Sequence, residues 1–134
     1  MSDRDSHKFF LTFVADPSLY GQEVLPGGPK VARGRHWEPR VDVIEEPHSL
    51  LITVEISGVR GDEISLVYSS ERNILSIRGS RAESDINTKR IAHQLEISYG
   101  AFEREVSLPD VGLRGEEISA SFRNGFLYVS IPKL

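Results

Sequence analysis

The stretch from Ala120 to Lys133, ASFRNGFLYVSIPK, reads as two short strands about a turn. Asn124 and Gly125 both tolerate the positive φ that a two-residue primed turn demands. Before the turn, Ile118, Ala120 and Phe122 alternate with Ser119, Ser121 and Arg123. After it, Leu127, Val129 and Ile131 alternate with Phe126, Tyr128 and Ser130. A period of two with one apolar row per arm is the pattern of a half-buried strand. The hairpin must therefore lay its apolar face on a second sheet, and Pro132, which lacks a ladder donor, closes its second arm.

Working back from the hairpin, the same pattern recurs. Phe102, Arg104, Val106 and Leu108 share one face of a strand that stops at Pro109. Ile91, His93, Leu95 and Ile97 form another row, stopped by Tyr99-Gly100. Leu75 and Ile77 mark a strand ending at Gly79, and Ile64, Leu66 and Tyr68 one that follows the turn at Gly61-Asp62. Leu50, Ile52, Val54 and Ile56 alternate with Leu51, Thr53 and Glu55. Val41 and Val43 flank Asp42 ahead of Glu45-Glu46-Pro47. About eight short strands with no amphipathic helix predict an all-β protein, an immunoglobulin-like antiparallel-rich β-sandwich over residues 37–134.

Residues 1–36 are of different character. Phe9, Phe10, Leu11, Phe13 and Val14 gather in one short segment, and frequent Pro and Gly from Pro17 to Gly34 break up any regular element. The expectation is a flexible, disordered arm whose apolar cluster can adhere to other apolar surfaces. A chain of 134 residues fits such an arm plus one domain. With no Cys, disulfides, thiol catalysis and zinc–thiolate sites are excluded, and a net charge of −4 offers no general attraction to nucleic acid or anionic membrane. Phe9 to Val14 is too short for a secretory core, and no apolar run reaches membrane-spanning length, so a cytoplasmic location is expected.

The long connection at 80–101 does not suit a plain hairpin, whose loops usually hold about two to five residues. It opens with the polar run SRAESDINTK and then carries the apolar row Ile91, Leu95 and Ile97, which needs a covering surface. Two readings stand: the arm folds back on its own sandwich, or it pairs with another subunit by strand exchange.

Several of these segments together resemble the α-crystallin domain of small heat-shock proteins. Trp37-x-Pro39-x-Val41-Asp42-Val43 resembles the start of that domain's first strand, and Ile56-Ser57-Gly58-Val59 its Leu-Pro-Gly-Val turn with Ser57 in place of Pro. Leu75-Ser76-Ile77-Arg78-Gly79 is similar to its Leu-x-Ile-x-Gly strand, and Gly100-Ala101-Phe102-x-Arg104 through Leu108-Pro109 to its Gly-x-Phe-x-Arg…Leu-Pro segment. Ala120 to Lys133 matches the closing Asn-Gly-x-Leu…Ile-Pro signature, with Phe126 where Val is usual. The long arm resembles the bacterial and plant type.

The resemblance implies an ATP-independent holdase chaperone that binds partially unfolded client proteins and suppresses their aggregation under stress. No cofactor, catalytic residue or metal site is implied, and neither nucleic acid nor membrane is an expected partner. Clients are expected on the arm residues Phe9, Phe10, Leu11, Phe13 and Val14. They are also expected in a groove between Ile64, Leu66 and Tyr68 on one side and Ile118, Ala120 and Phe122 on the other. A homodimer by strand exchange is expected to involve Val41, Val43, Ile91, Leu95, Glu96, Ile97 and Arg104. Because Ala92, Gln94 and Ile97 stand where relatives often have arginines and an aromatic, that contact is expected to be more apolar. In relatives a tail with an Ile-x-Ile type motif docks in the groove. With the sequence ending at Leu134, the dimer is the expected secure unit, and larger assembly is expected to rest on the Phe-rich arm.

Arg104 interrupts an apolar row, so it needs either a carboxylate partner, for which Glu96 is a candidate, or a path to solvent. The four histidines have no metal-ligand spacing, and no Gly-x-Ser-x-Gly or phosphate-loop pattern occurs. Arg60-Gly61-Asp62 spells an adhesion tripeptide but reads as a turn between strands. The alternative to a holdase is a CS-domain-like co-chaperone, a related sandwich that would lack the long arm and bind a folded partner as a monomer.

Overall fold

The period-two rows become two facing sheets in the computed structural model, which describes residues 36–83 and 89–134 and the backbone of two short strands before them. Those two are β1 (His7–Lys8) and β2 (Leu11–Phe13). They precede β3 (Arg40–Glu45), β4 (Ser49–Glu55), β5 (Ser65–Ser69), β6 (Ile74–Arg81), β7 (Gly100–Ser107), β8 (Ser119–Arg123) and β9 (Phe126–Pro132). One sheet runs β1-β8-β9-β4-β3 and the other β2-β5-β6-β7. All pairings are antiparallel except β2 on β5.

The core lies between the sheets. Leu50, Ile52 and Val54 of β4 register with Ile131, Val129 and Leu127 of β9, and all six are within 1% of full burial. Across from them lie Leu66 and Tyr68 of β5, Leu75 and Ile77 of β6, and Phe102 and Val106 of β7. Each such side chain contributes roughly 1.5–3 kcal/mol on leaving water, which is why the alternation dictates the layer order.

The hairpin forms as expected: Asn124 and Gly125 have φ of 55° and 84°, and Arg123 registers with Phe126 across the turn. The turn is also docked, because the Gly125 carbonyl accepts the Ile56 amide at 2.9 Å. Gly79 is needed for another reason. A Cβ there would lie 2.5 Å from the Phe102 ring and 2.8 Å from the Glu63 carbonyl, so its bare backbone is what lets Phe102 sink between the sheets. The tripeptide Arg60-Gly61-Asp62 is a turn, its Arg60 and Asp62 paired at 2.8 Å on the surface where the 3-10 segment Gly61–Glu63 begins.

One expected strand is not formed. Residues 91–97 are irregular, so among the described residues seven strands, not eight, lie between Arg40 and Pro132. Their backbone is paired with no strand, and an isolated extended segment has too little to offset its conformational entropy.

A side chain at Gly125 meets two obstacles at once, a positive φ and a Cβ only 3.0 Å from Ser57 Cβ and 3.1 Å from its Cα. Gly125→Ala is expected to lower stability by about 1–2 kcal/mol, read as a lower denaturant midpoint with an unchanged slope.

Candidate interaction surfaces

The arm starts and ends at one place. Arg81, the last residue of β6, registers with Gly100, the first of β7, so the chain leaves and rejoins the sheet at adjacent positions. Every described residue from 82 to 99 is exposed. Ile91, Leu95 and Ile97 are 83%, 79% and 65% exposed, so the apolar row seen in the sequence is uncovered in a single chain. Glu96 accepts a hydrogen bond from Gln94 Nε2 at 2.6 Å.

The loop's feet are held by a cluster of rings and carbonyls. Arg81 donates from Nε at 2.9 Å, and from Nη2, to the Ser98 carbonyl, and from Nη1 to the Ser57 carbonyl at 3.0 Å. Its guanidinium stacks 4.3 Å from the Trp37 ring centroid and 5.7 Å from that of Tyr99. Trp37 Nε1 donates to the Gly100 carbonyl at 3.1 Å, and the Trp37 ring lies 5.1 Å from that of Phe102. Two backbone bonds, Trp37 N to Ala101 O and Glu103 N to Trp37 O, bind the same residue along β7.

Three residues after Trp37 the chain enters its sheet at β3, which is the last strand of that sheet and, among the described residues, pairs only with β4. Val41 and Val43 register with the buried Val54 and Ile52, so they face the core side, yet Val43 is 39% exposed. Only Val41 packs against the core. The edge and its overhanging valine form a second uncovered surface.

Arg104 registers with Ile77 and is half-buried, and its Nη1 donates to the Pro39 carbonyl at 3.0 Å. It shares a depression with His36, Glu38, Glu103 and Glu105. Glu96 lies instead in the depression of Trp37, Arg40, Arg81 and Ile97. Within one chain Arg104 and Glu96 are thus not brought together.

The residues expected to line a groove fall on or just before β5 and β8. Ile64, Leu66 and Tyr68 on the β5 side are buried, while Ile118, Ala120 and Phe122 on the β8 side are half-buried against the core. Burial pushes the Tyr68 phenol up, and its hydroxyl donates to Asn73 Oδ1 at 3.1 Å. The arm's backbone lies along both strands: His7 and Lys8 register with Phe122 and Ser121, and Leu11 to Phe13 with Leu66 to Tyr68. Phe9, Phe10 and Val14 lie outside the described residues, and Leu11 and Phe13 are described as backbone only.

Comparison with known proteins decides the family, because residues 42–134 match the profile of the Hsp20/alpha crystallin family. The chain belongs to the Hsp20/alpha-crystallin family. It is 33% identical over 95 residues to small heat shock protein C2 of Rickettsia felis, covering 71% of this chain and 60% of that relative. Among solved structures it is similar to hspA from Xanthomonas axonopodis, at 37% identity and a TM-score of 0.63, covering 73% of this chain and 95% of that one. It is also similar to a small heat-shock protein from Xylella fastidiosa, at 33% identity and a TM-score of 0.63, covering 73% and 87%. The chain spans about 60% of the length of the curated relatives it matches. The α-crystallin sandwich and the small heat-shock family expected from the motifs are thus shown.

Sequence reading missed the Arg81–Trp37–Tyr99 cluster. Trp37 served only as part of a strand-start motif, and nothing in the local pattern around Arg81 marks it as a stacking partner. The exposure of the Hsp20-type arm has a simple readout. Within residues 37–134, dilute protein is expected to be cut by trypsin first after Lys89 and Arg90, as mass spectrometry of early fragments would show.

Proposed function

We propose that this chain is an ATP-independent holdase of the small heat-shock type, acting in the cytoplasm as a homodimer. The observation that carries the reading is an α-crystallin-type sandwich that leaves the apolar side chains of Ile91, Leu95 and Ile97 outside its core. The Phe-rich segment is attached to the rims of the groove through strands of only 2 and 3 residues. In this reading such short pairings give way to other apolar chains at the same edges. A partially unfolded client meets two apolar surfaces, Phe9 to Val14 and the rims from Ile64 to Tyr68 and Ile118 to Phe122. Binding it lowers the free concentration of the aggregating species by mass action, with no nucleotide or bond chemistry.

The dimer reading rests on complementary uncovered surfaces. Among the described residues the row of Ile91, Leu95 and Ile97 has no cover, and the β3 edge with Val41 and Val43 has no strand beyond it. An arm from a second copy laid on β3 satisfies both, and the reciprocal arm does the same in a closed two-fold pair. Arg104 and Glu96, separate within one chain, belong to this proposed interface.

Light scattering of a heat-aggregating client without ATP tests the holdase reading. Wild type should suppress aggregation, and deletion of residues 1–15 combined with Phe122→Ser should abolish most of that effect while the β-sheet circular dichroism is kept. Undiminished suppression by that folded variant would overturn it. Sedimentation tests the dimer: Leu95→Asp with Ile97→Asp is expected to give a folded monomer, since each buried carboxylate costs several kcal/mol at an apolar contact.

A further inference from the structure

The proposed exchange needs two things in fixed relation: an arm that leaves the sandwich in the right direction, and a β3 edge placed to receive the partner's arm. Both start from the same few residues. The arm returns to the fold through Ser98, Tyr99 and Gly100, while β3 is reached from Trp37 through Glu38 and Pro39. Arg81 stands between them, because its guanidinium holds the Ser98 carbonyl, the Ser57 carbonyl and the faces of Trp37 and Tyr99 at once. We propose that Arg81 is a positioning residue for dimerisation, clamping the root of the arm to the start of β3 so that donor and acceptor of the exchange are set by one side chain.

The argument rests on the dimer reading above and adds a cause to it. An arm of exposed residues loses conformational freedom when it is captured by a second copy, and a root already fixed leaves less to lose. The clamp is suited to arginine rather than lysine. A planar fork donates along two directions and still stacks on aromatic rings, whereas an ammonium offers a point charge without that plane. Arg81 lies outside the core, and in the depression it shares with Arg40, Glu96 and Ile97 its guanidinium is committed to the Ser98 and Ser57 carbonyls, so its effect on association is through geometry.

The test compares wild type, Arg81→Ala and Arg81→Lys by sedimentation equilibrium for the dimer dissociation constant and by denaturation for the fold. Arg81→Ala is expected to raise the dissociation constant on the order of tenfold, with Arg81→Lys between it and wild type. The denaturation midpoint at a dilution where all three are monomeric should stay close to wild type. Unchanged association in Arg81→Ala, or Arg81→Lys equal to wild type while Arg81→Ala is weak, would overturn the clamp as stated. So would an Arg81→Lys that loses fold stability in proportion to affinity, since that is a plain structural role. Should wild type prove monomeric throughout, the dimer reading fails on its own, and hydrogen exchange at 96–101 decides the clamp: faster exchange in Arg81→Lys supports it and unchanged exchange contradicts it. Emission from Trp37, the one tryptophan in the chain, reports loss of the stack in the same samples.

Discussion

Phe102 between the two sheets is the contact on which the rest depends. It is 1% exposed, lies over a backbone that Gly79 leaves bare, and is covered by the ring of Trp37. That one packing event fixes β6 against β7, because Gly79 and Phe102 are register partners, and it brings the residue that starts the domain alongside β7. Trp37 then carries the chain to β3 while Arg81 and Gly100, each two positions from the contact, launch and receive the arm. Core packing and the placement of the interaction surfaces are therefore the same event seen from two sides.

The edges follow from this arrangement. A sandwich must end its sheets somewhere, and an open edge is a template for another strand. At the groove, both edges carry backbone from the chain's own first residues, β1 on β8 and β2 on β5. At the other end of the larger sheet, β3 has a neighbour on one side only. The protein thus presents the β8 and β5 edges to its own first residues and the β3 edge to solvent, a division that suits the partners proposed above.

Much of this was legible in the sequence because it is local and periodic. The Asn124-Gly125 turn and the rows of β4 and β9 each express one residue-scale constraint, positive φ or face alternation, whereas Gly79, read from the sequence as a strand end, lies inside β6 and answers to the close approach of Phe102. The row at Ile91, Leu95 and Ile97 has the right period for a strand, but pairing needs a neighbouring backbone that one chain does not supply, so it stays irregular. The parallel pairing of Leu11–Phe13 on β5 is a long-range event in a segment whose local signals, Pro and Gly, speak against order. The Arg81 clamp joins residues far apart in the chain through ring faces and carbonyls, which have no periodic signature. Arg104 was legible as a problem, a charge in an apolar row, but not in its solution, since the Pro39 carbonyl is reachable only once β7 lies beside the start of β3.

The central claim is that the uncovered row of 91–97 and the open edge of β3 cover one another between two copies. Hydrogen exchange measured across a dilution series tests this most directly, because it reads both segments in the unmodified protein. The account predicts that amides in Arg40–Glu45 and in 91–97 gain protection together, at the concentration where the dimer forms. A dimer that forms while both segments exchange as fast as in the monomer would contradict it.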